Sequence, residues 1–162
     1  MSNSSPTAAA ATRIEPSSDS HVRDASLRQF AGYHMKRAYN VLRSDLTKCL
    51  EPLGLRITTY SSLNLIVENP GIRQSELALA LDIERPNMVV ILDDLEQRGW
   101  IDRRRVETDR RAYALTATLA GKRVCEKAVA ADLASENRLL RHLKTEEKKL
   151  LLMALKKIEQ TG

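Results

Sequence analysis

The chain has 162 residues, 43% hydrophobic but only 4% aromatic, a size that suits one domain with a single aliphatic core. Its formal charge of +5 permits a nucleic-acid partner. No run approaches the apolar length of a membrane span, and two cysteines with three scattered histidines give no metal-ligand spacing.

Residues 1–22 are rich in Ser, Ala and Pro and read as a disordered tail. They lack a basic start followed by an apolar core, so no secretory signal is expected and the protein is expected to be cytoplasmic. From Leu27 the apolar positions Phe30, Ala31, Met35, Ala38, Val41, Leu42, Leu46, Cys49 and Leu50 form one stripe. This spacing predicts a single helix over 27–50, ended by Pro52 and Gly54. Cys49 lies on that stripe and reads as a packing residue. So long a helix exceeds what a small core needs, which points to a partner subunit.

Thr58 offers an N-cap for a second helix carrying Leu63, Ile66 and Val67, closed by Asn69-Pro70-Gly71. A short third helix follows over 74–81. Asp82-Ile83-Glu84 connects it to a fourth helix with Pro86 available for its first position. Met88, Ile91, Leu92 and Leu95 recur at helical spacing there, and Gly99 supplies the stop. Two helices so closely joined form a helix-turn-helix. A strand over 100–105, a charged turn and a second strand at Tyr113–Leu115 then make a basic hairpin.

Thr116 can cap a long helix running to about His142, and Thr145-Glu146-Glu147 opens a last one. The first and last two helices carry more apolar surface than one subunit buries, so a homodimer is expected. The fold class is mainly α with a small β-hairpin wing. Residues 23–54 and 117–162 are assigned to a helical dimerisation region, and 55–116 to a winged helix-turn-helix DNA-binding lobe.

Side chains facing away from the Met88/Ile91/Leu92/Leu95 stripe are the candidates for reading bases. Arg85 suits guanine and Asn87 adenine, with Pro86 between them and Asp94 further along the helix. Val89 and Val90 either touch thymine methyls or widen the core stripe. Gln74 and Ser75, with Ser61 or Ser62, are candidate phosphate contacts. Arg103, Arg104, Arg105, Arg110 and Arg111 crowd the hairpin, where alternation puts Arg103 and Arg105 on one face.

The sequence over 102–121, DRRRVETDRRAYALTATLAG, resembles the wing and following helix start of the MarR family of bacterial transcription regulators. Asp109, Arg110 and Arg111 match its Asp-x-Arg wing tip, and Leu115, Thr116 and Gly121 approximate its Leu-Thr-x-x-x-Gly element. The resemblance covers roughly residues 27–160. It implies a ligand-responsive repressor, released from a palindromic DNA operator by a small aromatic carboxylate or phenolic compound. Arg111 would enter the minor groove with Asp109 holding it. The effector would lie beside the first helix, where Tyr33, His34, Arg37, Tyr39 and Tyr60 offer rings and charge. His34 equally reads as an interface histidine. Some relatives sense peroxide through a cysteine near the start of that helix; residues 27–33 contain none. No catalytic triad, paired carboxylates or phosphate-binding loop stands out, so neither enzyme nor cofactor is expected. A winged-helix module that binds protein instead of DNA is the alternative.

Overall fold

The computed structural model of the chain describes residues 23–106 and 109–161, and for 106 and 109–112 the backbone alone. Expectations for residues 1–22 lie outside the described residues. The chain divides into two compact units, one ending at Lys36 and one beginning at Arg37.

In the first unit a 3-10 turn over Leu27–Gln29 ends at Phe30, whose backbone is extended (φ −103°, ψ 128°). Helix α1, Ala31–Leu50, begins only after it, so the helix expected over 27–50 is broken at Phe30. Local polar bonds account for the break. Asp24 accepts from Arg28 Nε at 2.8 Å and from the Tyr33 hydroxyl at 2.7 Å. His34 Nε2 donates to the Arg28 carbonyl at 2.7 Å.

In the second unit α1 ends at Leu50, a turn carries Pro52, and Gly54 adopts φ 65° to redirect the chain. Helix α2 spans Ile57–Glu68 with Arg56 at its N-cap and no side-chain cap bond. Thr58 therefore lies inside the helix, not at its cap. Strand β1, Ile72–Arg73, leads into α3, Gln74–Ala80, where the Glu76 carboxylate accepts from the Arg73 backbone N–H at 2.8 Å. That bond supplies the cap that no Ser or Thr provides. The turn to α4, Arg85–Gln97, contains Asp82 at φ 51°, a conformation short polar side chains tolerate. Pro86 is the second residue of α4, one place later than expected.

Strands β2, Ile101–Val106, and β3, Asp109–Ala117, pair antiparallel, and β1 adds to the far side of β3. Ile72 lies opposite Leu115 and Ile101 opposite Ala117. The wing is thus rooted in a three-stranded sheet, one strand more than the expected hairpin. Thr116 sits within β3 opposite Asp102. The cap of α5, Leu119–Leu139, is instead Thr118, whose Oγ1 accepts from Gly121 N at 3.0 Å and donates to the Gly99 carbonyl at 2.7 Å. Helix α6, Thr145–Glu159, follows, with Glu147 accepting from the Lys144 N–H at 2.7 Å.

Two buried clusters hold this unit together. Leu63 and Ile66 of α2, Leu77 of α3, Met88, Leu92 and Leu95 of α4, and Ile101 and Leu115 of the sheet form the larger one. Leu50, Leu55, Tyr60 and Ala128 form the smaller, and Trp100 with Val124 packs against both. The α4 stripe buries as its spacing predicts, although Ile91 is only half-buried. Cys125 is buried, and burial pushes its thiol pKa up. Cys49 is half-buried rather than enclosed.

Candidate nucleic-acid interface and effector cleft

Because α4 turns Met88, Leu92 and Leu95 inward, helical geometry sends Pro86, Asn87 and Val90 to solvent; Val89 at the flank and Arg85, the first residue of the helix, are exposed as well. Val90 is 68% exposed and Val89 40%, so the pair does not widen the core stripe. Asp94 is half-buried and committed to Arg98 Nε at 2.8 Å. Arg98 also donates to the Gly54 carbonyl at 3.1 Å and lies 5.0 Å over the Trp100 ring, which anchors the end of α4. On α3, Ser75 is exposed and Gln74 half-buried. Ser61 is half-buried, whereas Ser62 is fully buried and cannot reach a phosphate.

A hollow of about 250 Å³ separates the start of α2 from α4, lined by Arg56, Thr58 and Val90 among others. Arg56 and Thr58 are exposed beside the reading face. Sequence reasoning missed them, because their nearness to Val90 exists only after α2 packs on α4. A second hollow, of about 490 Å³, flanks the other side with Ser75, Leu79 and Arg85. Leu79 is 85% exposed there.

The basic residues of β2 do not act alike. Arg103 has only 13% of its side chain exposed and is paired with two carboxylates of α4. Its Nη2 bonds Asp93, and its Nε sits 3.1 Å from a Glu96 oxygen, close enough for attraction but off the hydrogen-bond direction. This guanidinium ties the wing to the helix, and its charge is already answered. Arg104 and Arg105 are exposed. Asp109, Arg110 and Arg111 start β3, and their side chains lie outside the described residues.

The residues expected to bind an effector fall in both units. Tyr33 and His34 belong to the first unit, where their rings meet edge to face at 6.0 Å. Arg28, then the Tyr33 hydroxyl, hold the Asp24 carboxyl below its ordinary pKa. In the second unit Tyr39 lines a cleft of about 350 Å³ between α1, α5 and α6. Arg37 is not among its lining residues. Leu42, Leu46, Leu151 and Leu155 make an aliphatic wall, and Arg43, Asp132, Glu136 and Lys148 supply charge. An adjoining hollow of about 690 Å³ shares Tyr39, Arg43 and Ile57 and adds Thr47 and Arg56. Tyr60 does not line the cleft; it is 8% exposed and its hydroxyl donates to Asp132 at 2.9 Å. Burial first, then Asp132, pushes the Tyr60 hydroxyl pKa up, so it stays a donor. Asp45 of α1 accepts from the Ser135 hydroxyl and Arg138 of α5, and Ser135 foremost keeps its carboxyl pKa low.

The sequence pattern of the MarR family matches residues 53–112, the span from the α1–α2 turn into the wing. Transcriptional repressor MprA of Escherichia coli is 33% identical over 130 residues, covering 75% of this chain and 74% of that protein. The chain belongs to the MarR family. It is therefore a DNA-binding transcriptional regulator and not an enzyme. Transcriptional repressor CouR, solved with a 23-mer DNA duplex, matches with TM-score 0.81 and 35% identity over 86% of this chain and 99% of its own. CouR has also been solved with p-coumaroyl-CoA, matching at TM-score 0.76 and 32% identity over 85% of this chain and 97% of its own. The MarR family protein Rv2887 of Mycobacterium tuberculosis, solved with salicylic acid, gives TM-score 0.65 and 27% identity over 80% and 96% of the two chains. The family's winged-helix architecture accounts for the sheet that carries Arg103 and for the exposed face of α4. No helix among the described residues is long and apolar enough to cross a membrane.

Proposed function

We propose that the chain is a cytoplasmic, homodimeric repressor that reads a palindromic operator and leaves it when a small aromatic acid or phenol binds. The observation that carries this reading is the exposed α4 face. Two hydrogen-bonding residues, Arg85 and Asn87, precede two exposed valines on a helix whose other side is locked into the core. Such a surface fits the major groove, where arginine pairs with guanine, asparagine with adenine and apolar groups meet thymine methyls. Gln74, Ser75, Arg56 and Thr58 flank it as phosphate contacts, and Arg105 extends the contact along the wing. By family resemblance Arg111 enters the minor groove, held by Asp109. The DNA complex of CouR supports this reading.

For the effector, the cleft lined by Tyr39 and six leucines has a volume of about 350 Å³, within the range of small-ligand sites. Arg43 and Lys148 suit an organic anion. The relatives solved with p-coumaroyl-CoA and salicylic acid support an aromatic ligand, and the adjoining hollow leaves room for one carrying a longer acyl carrier. Binding of the full chain to duplexes selected from a random pool, titrated with salt and then with aromatic acids, tests the reading. Affinity should fall steeply with salt as phosphate neutralisation releases counterions. Weak, salt-insensitive binding with no preferred duplex would favour a protein-binding module instead.

A further inference from the structure

Asp132 lies where the cleft meets the DNA-binding elements. It lines the cleft on α5, while its Oδ2 accepts the Tyr60 hydroxyl at 2.9 Å. Tyr60 belongs to α2 and is enclosed with Leu50, Leu55 and Ala128. The same helix carries Leu63 and Ile66 into the cluster that seats Met88, Leu92 and Leu95 of α4. One carboxylate therefore faces the cleft on one side and holds the helix supporting α4 on the other.

The charge pattern selects the chemistry of what binds there. Tyr60 occupies one Asp132 oxygen, and no other hydrogen bond reaches this side chain among the described residues. An ionised carboxylate accepts through either oxygen at about four sites, which leaves room for a second donor. The nearby acceptor Asp45 is already engaged by Ser135 and Arg138. A ligand carboxylate would be repelled from Asp132 and Glu136 but drawn to Arg43 or Lys148. The fitting molecule is an aromatic ring with a hydroxyl at one end and an anionic or acyl group at the other.

We infer that Asp132 receives the ring hydroxyl of a phenolic effector and, by sharing its carboxylate with that hydroxyl, loosens Tyr60 and so couples the cleft to DNA binding. This rests on the aromatic-effector reading above and narrows it to hydroxylated rings. A ligand shifts an equilibrium only through interactions that differ between two states; the Tyr60–Asp132 bond is such an interaction.

The test uses matched probes that differ only in the hydroxyl, 4-hydroxycinnamate against cinnamate, each also as its CoA thioester. Calorimetry gives binding to the full chain, and fluorescence anisotropy gives affinity for a selected duplex. The hydroxylated member should bind the wild type on the order of tenfold more tightly, the scale of one well-made hydrogen bond to a charged group. Asp132→Asn should erase that preference. Tyr60→Phe should keep the preference, lower ligand-free duplex affinity about three- to tenfold, and shrink the further release caused by the hydroxylated probe. Helical content shows whether the variants are folded, and the wild-type preference needs no variant. Equal binding of hydroxylated and unhydroxylated probes, or a preference that survives Asp132→Asn, overturns the assignment and leaves an aromatic effector standing. Release of Tyr60→Phe from the duplex by the hydroxylated probe to the same extent as the wild type overturns the coupling. Binding of none of the four probes overturns the effector reading itself, and this inference with it.

Discussion

A methyl group added at Gly121 would lie 2.0 Å from the Trp100 carbonyl oxygen, on backbone that cannot step aside. Alanine would normally gain about 1 kcal/mol over glycine inside a helix. Here overpacking, typically about 1–3 kcal/mol and more against rigid backbone, outweighs it. Gly121→Ala should therefore lower the urea midpoint, and a raised midpoint would show that the start of α5 can shift away from Trp100. Arg103 provides a second test, because its charge is met by Asp93 and Glu96 while Arg105 is exposed. Arg105→Ala should reduce the slope of log affinity against log salt by about one, as loss of one phosphate contact does. Arg103→Ala should weaken duplex binding with that slope unchanged, since it releases the wing from α4 without removing a phosphate contact. Lysine should not rescue position 103, because a single ammonium cannot reproduce the forked guanidinium. A slope reduced equally by both variants would put Arg103 back on the DNA. The residue types were legible in the sequence, but not their employment. Alternation along β2 places Arg103 and Arg105 on one face, yet only the packing of α4 shows that Asp93 and Glu96 meet the first of them.

Among elements, those defined by local periodicity were the ones the sequence showed. The α4 stripe of Met88, Leu92 and Leu95 and the stop at Gly99 needed no information beyond their own neighbourhood. Caps were read less well. Thr58 and Thr116 looked suitable, but a cap depends on where the backbone leaves the extended state, and that falls at Arg56 and Thr118. Strand β1 has two residues and exists only through pairing with Leu115 and Ala114 far along the chain, so no local pattern announced it. The cleft was illegible for the same reason: its walls, Leu42 and Leu46 of α1 and Leu151 and Leu155 of α6, are far apart in the chain. The division of labour between α4 and the wing can be tested directly. Duplexes recovered from a random pool by Arg85→Ala or Asn87→Ala should differ from the wild-type consensus at one position in each half-site, at a cost of about 1–3 kcal/mol for the original site. Arg105→Ala should recover the wild-type consensus with lower affinity throughout. If all three variants return the wild-type consensus, α4 does not read bases through these side chains.

For the whole molecule, the decisive quantity is apolar surface left uncovered by the chain itself. Helix α6 buries none of its residues fully, and it exposes Leu150 by 63%, Leu152 by 53% and Met153 by 47%. On α1, Val41 is 57% exposed, and on α5, Leu133 is 60% exposed. Isolated exposed leucines are ordinary, but a run of them along one terminal helix marks a surface that water covers at a cost. A second copy of the chain is the simplest cover, and two-fold symmetry would present two α4 helices to half-sites about 34 Å apart. Of the α6 residues, Leu151, Leu152 and Leu155 also face the cleft, whereas Leu150 and Met153 do not line it. Charging the latter pair therefore tests association while sparing the cleft. Sedimentation velocity should give a dimer for the wild-type chain and a folded monomer for Leu150→Glu/Met153→Glu. Each exposed leucine or methionine is worth about 1.5–3 kcal/mol on full burial, so burying two carboxylates in its place should cost well over tenfold in dimer affinity. The monomer should lose tight binding to the palindromic duplex and retain weaker, salt-sensitive binding to a single half-site. A wild-type chain that sediments as a monomer, or a doubly charged variant that remains dimeric, would place the subunit contact elsewhere or remove it from the mechanism.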